Sequence, residues 1–244
     1  MNKKKVYTIA EIGNNHNGSV DLAIEMIKSA KKSGADCVKF QMRQLKQIYR
    51  SKNFDVSDDL GVEYQINLLE KFNLSNEDHL KIFNFCINNK IDYMCTPWEI
   101  NSVQILDSFG VKNFKISSAD LLNFTLIEEV IKVANNLVLS TGMATEEEID
   151  STINFLNKFD INYSLLHCNS TYPAPFHDIN LNWLKKLKKK CNNIGYSGHE
   201  RGFIPTLGAV ALGAKIIERH FTFDKDMEGP DHAASLLPEE FLEM

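Results

Sequence analysis

No apolar run in this 244-residue sequence approaches the length of a membrane span. The chain passes from Lys3–Lys5 straight into VYTIAEIG, too short an apolar stretch for a signal sequence. No membrane partner and a cytoplasmic location are therefore expected. Cysteine is sparse: Cys37, Cys86, Cys95, Cys168 and Cys191 are odd in number, scattered, and form no C-x-x-C pair. Such spacing argues against a disulfide framework and reads as buried thiols in a reducing compartment. There is no dinucleotide-binding glycine motif, no internal repeat and no low-complexity tract. Net charge is also small, −5 from 27 basic and 32 acidic residues. That argues against a nucleic-acid partner. An acidic substrate would need a local cluster of lysine and metal. The two basic runs, Lys3–Lys5 and Lys185–Lys190, read as solvated faces, the second late in an amphipathic helix where cations complement the dipole.

What is present is a rhythm. The composition, 43% hydrophobic and 24% charged, is that of a globular protein with one sizeable core. Eight short β-rich runs (VYTIAEI, DCVKFQ, DYMCTP, NFKISS, NLVLST, YSLLHC, NIGYSG and AKIIERHF) read as buried parallel strands. Between them lie amphipathic segments at Val20–Ser33, Asn76–Asn89, Glu99–Phe109, Phe124–Ala134, Glu146–Phe159, Ile179–Lys190 and Ile204–Leu212. Thr145 with Glu148 spells a capping box, and Gly34 and Gly110 sit where helices stop. Eight alternating βα units predict a (β/α)8 TIM barrel, α/β in class, as one domain over residues 1–244. The eighth helix would begin near Pro238 and be truncated at Met244. The long connection from Met42 to Leu74 lacks core periodicity and reads as an active-site loop.

In such a barrel, chemistry gathers at the C-terminal ends of the strands. The residues there are Glu11; Lys39 and Gln41; Thr96; Lys115, Ser118 and Asp120; Ser140 and Thr141; His167, Asn169 and Tyr172; Ser197 and His199; and Glu218 and His220, with Asp231 and His232 following. Pairs two apart share one face of a strand. His199 and His220, with Glu218 alongside, are able to hold a divalent metal such as Mn²⁺ or Mg²⁺, although a lone strand-end histidine is more often just hydrogen-bonded. Lys39 and Lys115 leave three readings open: a structural ion pair, a Schiff-base nucleophile, or a clamp for an anion assisted by Ser118 and Ser197. Asp120 is either an acid or base near the bound anion or a helix N-cap. Trp98 reads as packing, His16 as a turn residue, and His167 and Cys168 as core.

The segments AEIGNNHNG, ADCVKFQ, TPW, FKISSAD, LSTGM, LLHCNSTYPAP, IGYSGH, ERHFT and GPDHAAS, in order from Ala10 to Phe241, closely resemble the N-acetylneuraminate (sialic acid) synthase family. Synthases of legionaminic and pseudaminic acids share them. The resemblance implies a transferase that condenses phosphoenolpyruvate with an N-acyl amino sugar such as N-acetylmannosamine. It assigns Lys39, Lys115, Ser118 and Ser197 to phosphoenolpyruvate, with Gln41 and Thr96 beside them. It assigns His199 and His220 to the metal, and Glu11, Tyr172 and Asp231 to the surroundings of the acceptor sugar. Asp120 would orient or deprotonate water. Together with the strand-end reading, the catalytic set is Asp120, Lys115 and Glu218.

Ser170 departs from an Asn seen in some members, which leaves the acyl sugar open, and Thr125 stands where Pro is usual. Family members also carry an antifreeze-like domain that supplies an Arg across a homodimer; the 244 residues read as the barrel without it. A Schiff-base aldolase acting on pyruvate through Lys115, and a ligand-binding or assembly remnant without catalysis, are the alternatives.

Overall fold

The computed structural model describes residues 6–48 and 67–244. The basic run Lys3–Lys5 and the middle of the Met42–Leu74 connection lie outside the described residues. The strands are β1 Tyr7–Gly13, β2 Cys37–Met42, β3 Asp92–Pro97, β4 Asn113–Ile116, β5 Asn136–Ser140, β6 Asn162–Cys168, β7 Ile194–Gly198 and β8 Ile216–His220. They close in sequence order into a parallel barrel, β8 returning to pair with β1. The helices between them are α1 Val20–Lys32, α2 Asn76–Asn88, α3 Ile100–Phe109, α4 Phe124–Val133, α5 Glu146–Leu156, α6 Trp183–Lys190, α7 Ile204–Ala211 and, after β8, α8 Pro238–Glu243. The fold is the predicted (β/α)8 barrel, and Phe241 of α8 is buried with its ring edge on Phe221.

Local chemistry explains the boundaries. Ser19 and Ser75 accept backbone N–H groups at the starts of α1 and α2, and Thr145 with Glu148 forms the capping box of α5. Gly110 ends α3 with φ 91°, a conformation that disfavours side chains. Two predicted helices were too long: Glu146–Phe159 ends at Leu156, and Ile179–Lys190 becomes helical only from Trp183, because Asn180 adopts φ 45° and interrupts the turn. Short helical turns at Leu45–Ile48 and at 67–72 are what is described of the long connection.

Strand alternation sorts the residues into two shells. One set of side chains points outward to the helices and builds the main core, including Ala10, Ile12, Val38, Phe40, Phe114, Ile116, Leu137, Leu139, Leu165, Tyr196 and Ile217. The other points inward. Its floor is apolar: Ile9, Cys37, Met94, Val138 and Leu166, with Tyr7 and Ile216 against them. Gly195 lies beside this floor, where a Cβ would come within 2.4 Å of both Leu166 Cδ2 and the Ile216 carbonyl. Two residues further along each strand, on the same face, the inward set turns polar: Glu11, Lys39, Thr96, Lys115, Ser140, Cys168, Ser197 and Glu218.

Candidate active site

This second layer forms the floor of an open cavity of about 220 Å³ at the C-terminal mouth. Glu11, Lys39, Gln41, Thr96, Lys115, Ser118, Ser140, Tyr172, Ser197, His199, Glu218 and His220 all line it, drawn from all eight βα units.

The charged groups form one chain. Lys39 Nζ lies 2.9 Å from Glu11 Oε2 and 3.7 Å from Glu218 Oε1, and Lys115 Nζ lies 3.8 Å from the same Glu218 oxygen. Lys39 also donates to Thr96 Oγ1, and Lys115 to Ser140 Oγ at 2.6 Å. Gln41 Nε2 donates to Glu11 Oε1, and Ser197 Oγ to Glu218 Oε1. All four ionisable side chains are at most 5% exposed, so an unpaired member would cost several kcal/mol.

Their proton affinities are pushed apart. Burial raises the Glu11 carboxyl above the usual range, against the opposing pull of Lys39. Burial also works to raise Glu218, but Lys115, Lys39 and His220 outweigh it and hold that carboxyl low. For Lys39, burial is overcome by Glu11 and Glu218 and the ammonium rises to about 12. For Lys115, burial wins and its pKa falls.

The imidazoles sit beside this chain. His199 and His220 have ring centroids 5.5 Å apart. Tyr172 stacks on His199 at 4.0 Å and meets His220 edge-on at 5.6 Å. Burial, then the proximity of His220, lowers His199 to about 3, and burial lowers His220 as well, so both are neutral and able to act as ligands. His199 Nδ1 bonds the Asn169 carbonyl, which leaves Nε2 with the lone pair. His220 Nδ1 is buried without a hydrogen-bond partner, 3.9 Å from Asp231 Oδ2. Glu218 Oε2 is buried without one as well. These open acceptors fit a cation held by two imidazoles, the remaining positions filled by water or substrate oxygens. Among the described residues no group of three His, Cys, Asp or Glu forms a metal cluster, and Glu218 is engaged by the lysines and Ser197.

The remaining sequence candidates divide between the cavity and its surroundings, and His16 and His167 sit in a turn and in the core as read from the sequence. Asp120 is not among the cavity-lining residues: its carboxylate is held by Ser117 Oγ and Asn123 Nδ2. Nor does it cap α4, whose N-cap is Asn123. Asp231 is 9% exposed and lies 3.9 Å from His220 Nδ1, outside the lining. Thr141 is tied to the Leu166 carbonyl of β6, and His167 faces outward to the Ile179 carbonyl. His232 is occupied by Thr222 and Asn17. His16 is buried in its turn, accepts from Gly18 N and stacks on Phe40. Cys168, expected in the core, lines the mouth because it shares the inward face with Leu166; its Sγ lies 3.7 Å from His199 Nδ1.

Trp98 also lines the cavity while donating to Gln41 Oε1. Arg43, which the sequence reading missed, lies outside the lining but supports it, stacking on Trp98 at 5.0 Å and bonding Gln41. Its signal was present: Arg43 follows Lys39 and Gln41 at the same two-residue step. Ser117, Ala119, Met143 and Ser170 complete the wall.

No helix among the described residues is long and apolar enough to cross a membrane. Comparison with known proteins agrees with the geometry. N,N'-diacetyllegionaminic acid synthase of Campylobacter jejuni is 40% identical over 97% of this chain, which spans 73% of that protein. N-acetylneuraminate-9-phosphate synthase of Drosophila melanogaster is 37% identical over 96% of the chain, which spans 65% of it. The crystal structure of N-acetylneuraminic acid (sialic acid) synthetase from Leptospira borgpetersenii, in complex with citrate, superposes with a TM-score of 0.90 at 32% identity, covering 98% of this chain and 81% of that one. The sequence pattern of the NeuB family matches residues 26–244. The chain therefore belongs to the NeuB family, whose relatives named here are synthases of nonulosonic acids, and it is a synthase-like enzyme of that kind.

Proposed function

We propose that this chain condenses phosphoenolpyruvate with the open-chain form of an N-acyl amino sugar, N-acetylmannosamine or a related hexosamine, to give a nonulosonic acid and phosphate. Residues 1–244 would act as a single phosphoenolpyruvate-condensing barrel domain, cytoplasmic and able to pair as a homodimer. The observation that carries the reading is that two buried ammonium groups, the Ser118 and Ser197 hydroxyls and two neutral imidazoles line one cavity.

Lys39 and Lys115, with Ser118 and Ser197, hold the carboxylate and phosphate of phosphoenolpyruvate. Glu218 stays ionised between the lysines and preserves their charge until the substrate arrives. Gln41 and Thr96 stand beside phosphoenolpyruvate, while Glu11 and Tyr172 face the acceptor, with Asp231 close to His220. A divalent cation on His199 and His220, Mn²⁺ or Mg²⁺, would supply Lewis-acid polarisation of the acceptor aldehyde. The methylene carbon of phosphoenolpyruvate forms a bond to the aldehyde carbon, whose oxygen takes a proton. Water adds to the resulting cationic carbon and loses a proton to a carboxylate of the cavity, Glu11 being the one beside the acceptor. The carbon–oxygen bond to phosphate then breaks as the new hydroxyl gives its proton to the departing phosphate, leaving the ketone. Asp120 would assist only through a movement of its loop. Holding the reactants in contact accounts for several kcal/mol of the barrier, on the order of known proximity effects.

The test is phosphate release from phosphoenolpyruvate with Mn²⁺ and a panel of N-acyl hexosamines, with and without EDTA. Release that requires both a sugar and the metal supports the reading; no release with any sugar sinks it. A second reading has one observation behind it: burial lowers the Lys115 pKa, as a Schiff-base lysine needs. Borohydride trapping with pyruvate and indifference to EDTA would favour that aldolase.

A further inference from the structure

A buried ionic cluster lies on the far side of β7 and β8 from the cavity, against α7. Arg219 and Glu200 are both fully buried, with Nη1 3.0 Å from Oε1. Tyr196 Oη donates to Glu200 Oε2 at 2.7 Å, and Thr206 Oγ1 to Oε1 at 3.2 Å. The guanidinium also grips main chain: Nη2 donates to the Glu200 carbonyl and Nη1 to that of Gly202, both at 2.7 Å. Gly198 makes room, since a Cβ there would lie 2.7 Å from Glu200 Oε2 and from the Tyr196 ring.

Stability alone is a weak reason for such a cluster. Well-packed apolar residues in place of a buried ion pair are often as stable or more so, and here Arg219 Nε is left without a partner. Geometry offers a better reason. Glu200 directly follows His199, and Arg219 directly precedes His220. One guanidinium therefore ties the loop bearing the first imidazole, by side chain and main chain, to the strand bearing the second.

We propose that Glu200 and Arg219 are positioning residues that set the spacing of His199 and His220 for a divalent cation, acting from behind the strands without touching the ligand. This rests on the metal reading given under Proposed function. Partners outside the ligand shell commonly contribute about 10–100-fold to metal affinity.

The test is a Mn²⁺ titration of the full chain followed by electron paramagnetic resonance, with phosphoenolpyruvate affinity measured separately in metal-free buffer. The double variant Glu200→Leu/Arg219→Met should melt no lower than the parent protein by more than a few degrees. It should bind Mn²⁺ about 10–100-fold more weakly and keep its affinity for phosphoenolpyruvate. Arg219→Lys keeps the charge but loses the fork, so it should weaken Mn²⁺ too; it stands in if the double variant does not fold. Tyr196→Phe, which frees one Glu200 oxygen, should give a smaller shift. Mn²⁺ binding within about twofold of the parent in these variants overturns the proposal. So does a parallel loss of both affinities, which would mark a merely structural cluster. Failure of the underlying reading looks different: the parent protein would not bind Mn²⁺, or His220→Ala would bind it equally well.

Discussion

Lys39 and Glu11 face each other at 2.9 Å across the β1–β2 seam, where the register pairs the two residues directly. Both are almost wholly shielded from water. Lys39→Met would leave Glu11 and Glu218 with only Lys115 to balance them. Loss of one partner from a buried pair costs about 3–5 kcal/mol, so thermal unfolding should move down by roughly 10 °C in a chain of this size. Adding Glu11→Gln should recover part of that loss, since the uncompensated charge is then gone. Equal melting of Lys39→Met and the parent protein would show that the ammonium is not needed to hold the carboxylates.

His220→Ala should abolish metal-dependent phosphate release while leaving the barrel folded. Its Nδ1 has no protein partner to lose, and the ring lies at the mouth rather than in the apolar floor. Circular dichroism should match the parent protein while turnover falls to the level seen with EDTA. Retained metal-dependent turnover would remove this imidazole from the site.

Much of this was legible from periodicity. The step of two along each strand predicted that Lys39 and Gln41, and Glu218 and His220, share a face, and the closed barrel aims all four at one cavity. The same step, applied to Leu166 and Cys168, would have moved Cys168 from core to cavity. Residues beyond the strand ends were harder to read, because loop geometry carries no period. Asp120 turns into a short 3-10 segment and bonds its neighbours Ser117 and Asn123. Asp231 comes within 3.9 Å of His220 Nδ1 but is not among the residues that line the cavity. The Arg219–Glu200 pair was hidden for another reason: both belong to the outward face, where sequence alone gives no hint that two charges will be buried together.

Lys115→Met should impair phosphoenolpyruvate use above all. The ammonium sits between Ser140 Oγ and Glu218, facing the cavity. A hydrogen bond from a charged group contributes about 1.5–3 kcal/mol, which corresponds to a fall of about 10–100-fold in kcat/KM for phosphoenolpyruvate. The acceptor sugar's KM should change far less. Unchanged KM and kcat for phosphoenolpyruvate would refute the clamp.

Acid should destabilise the fold well before the ordinary carboxylates titrate. Burial lowers His16 to about 3, His79 to about 4 and His199 to about 3, from an ordinary value of 6.5. Below pH 6.5 the unfolded chain takes up these protons while the folded chain refuses them until about pH 4. Stability is thus full above 6.5 and lost as pH falls, by about 2 kcal/mol per imidazole between pH 7 and pH 5. Glu11, whose carboxyl is raised by burial, works in the opposite direction and offsets part of the loss. His79 isolates the effect, because it is buried, lies outside the cavity lining and leaves Nδ1 unpartnered. His79→Leu should therefore narrow the stability gap between pH 7 and pH 5 by about 2 kcal/mol, read from urea unfolding at the two values. A gap of the same size in the variant would mean that His79 takes up its proton in the folded protein as readily as in the unfolded chain.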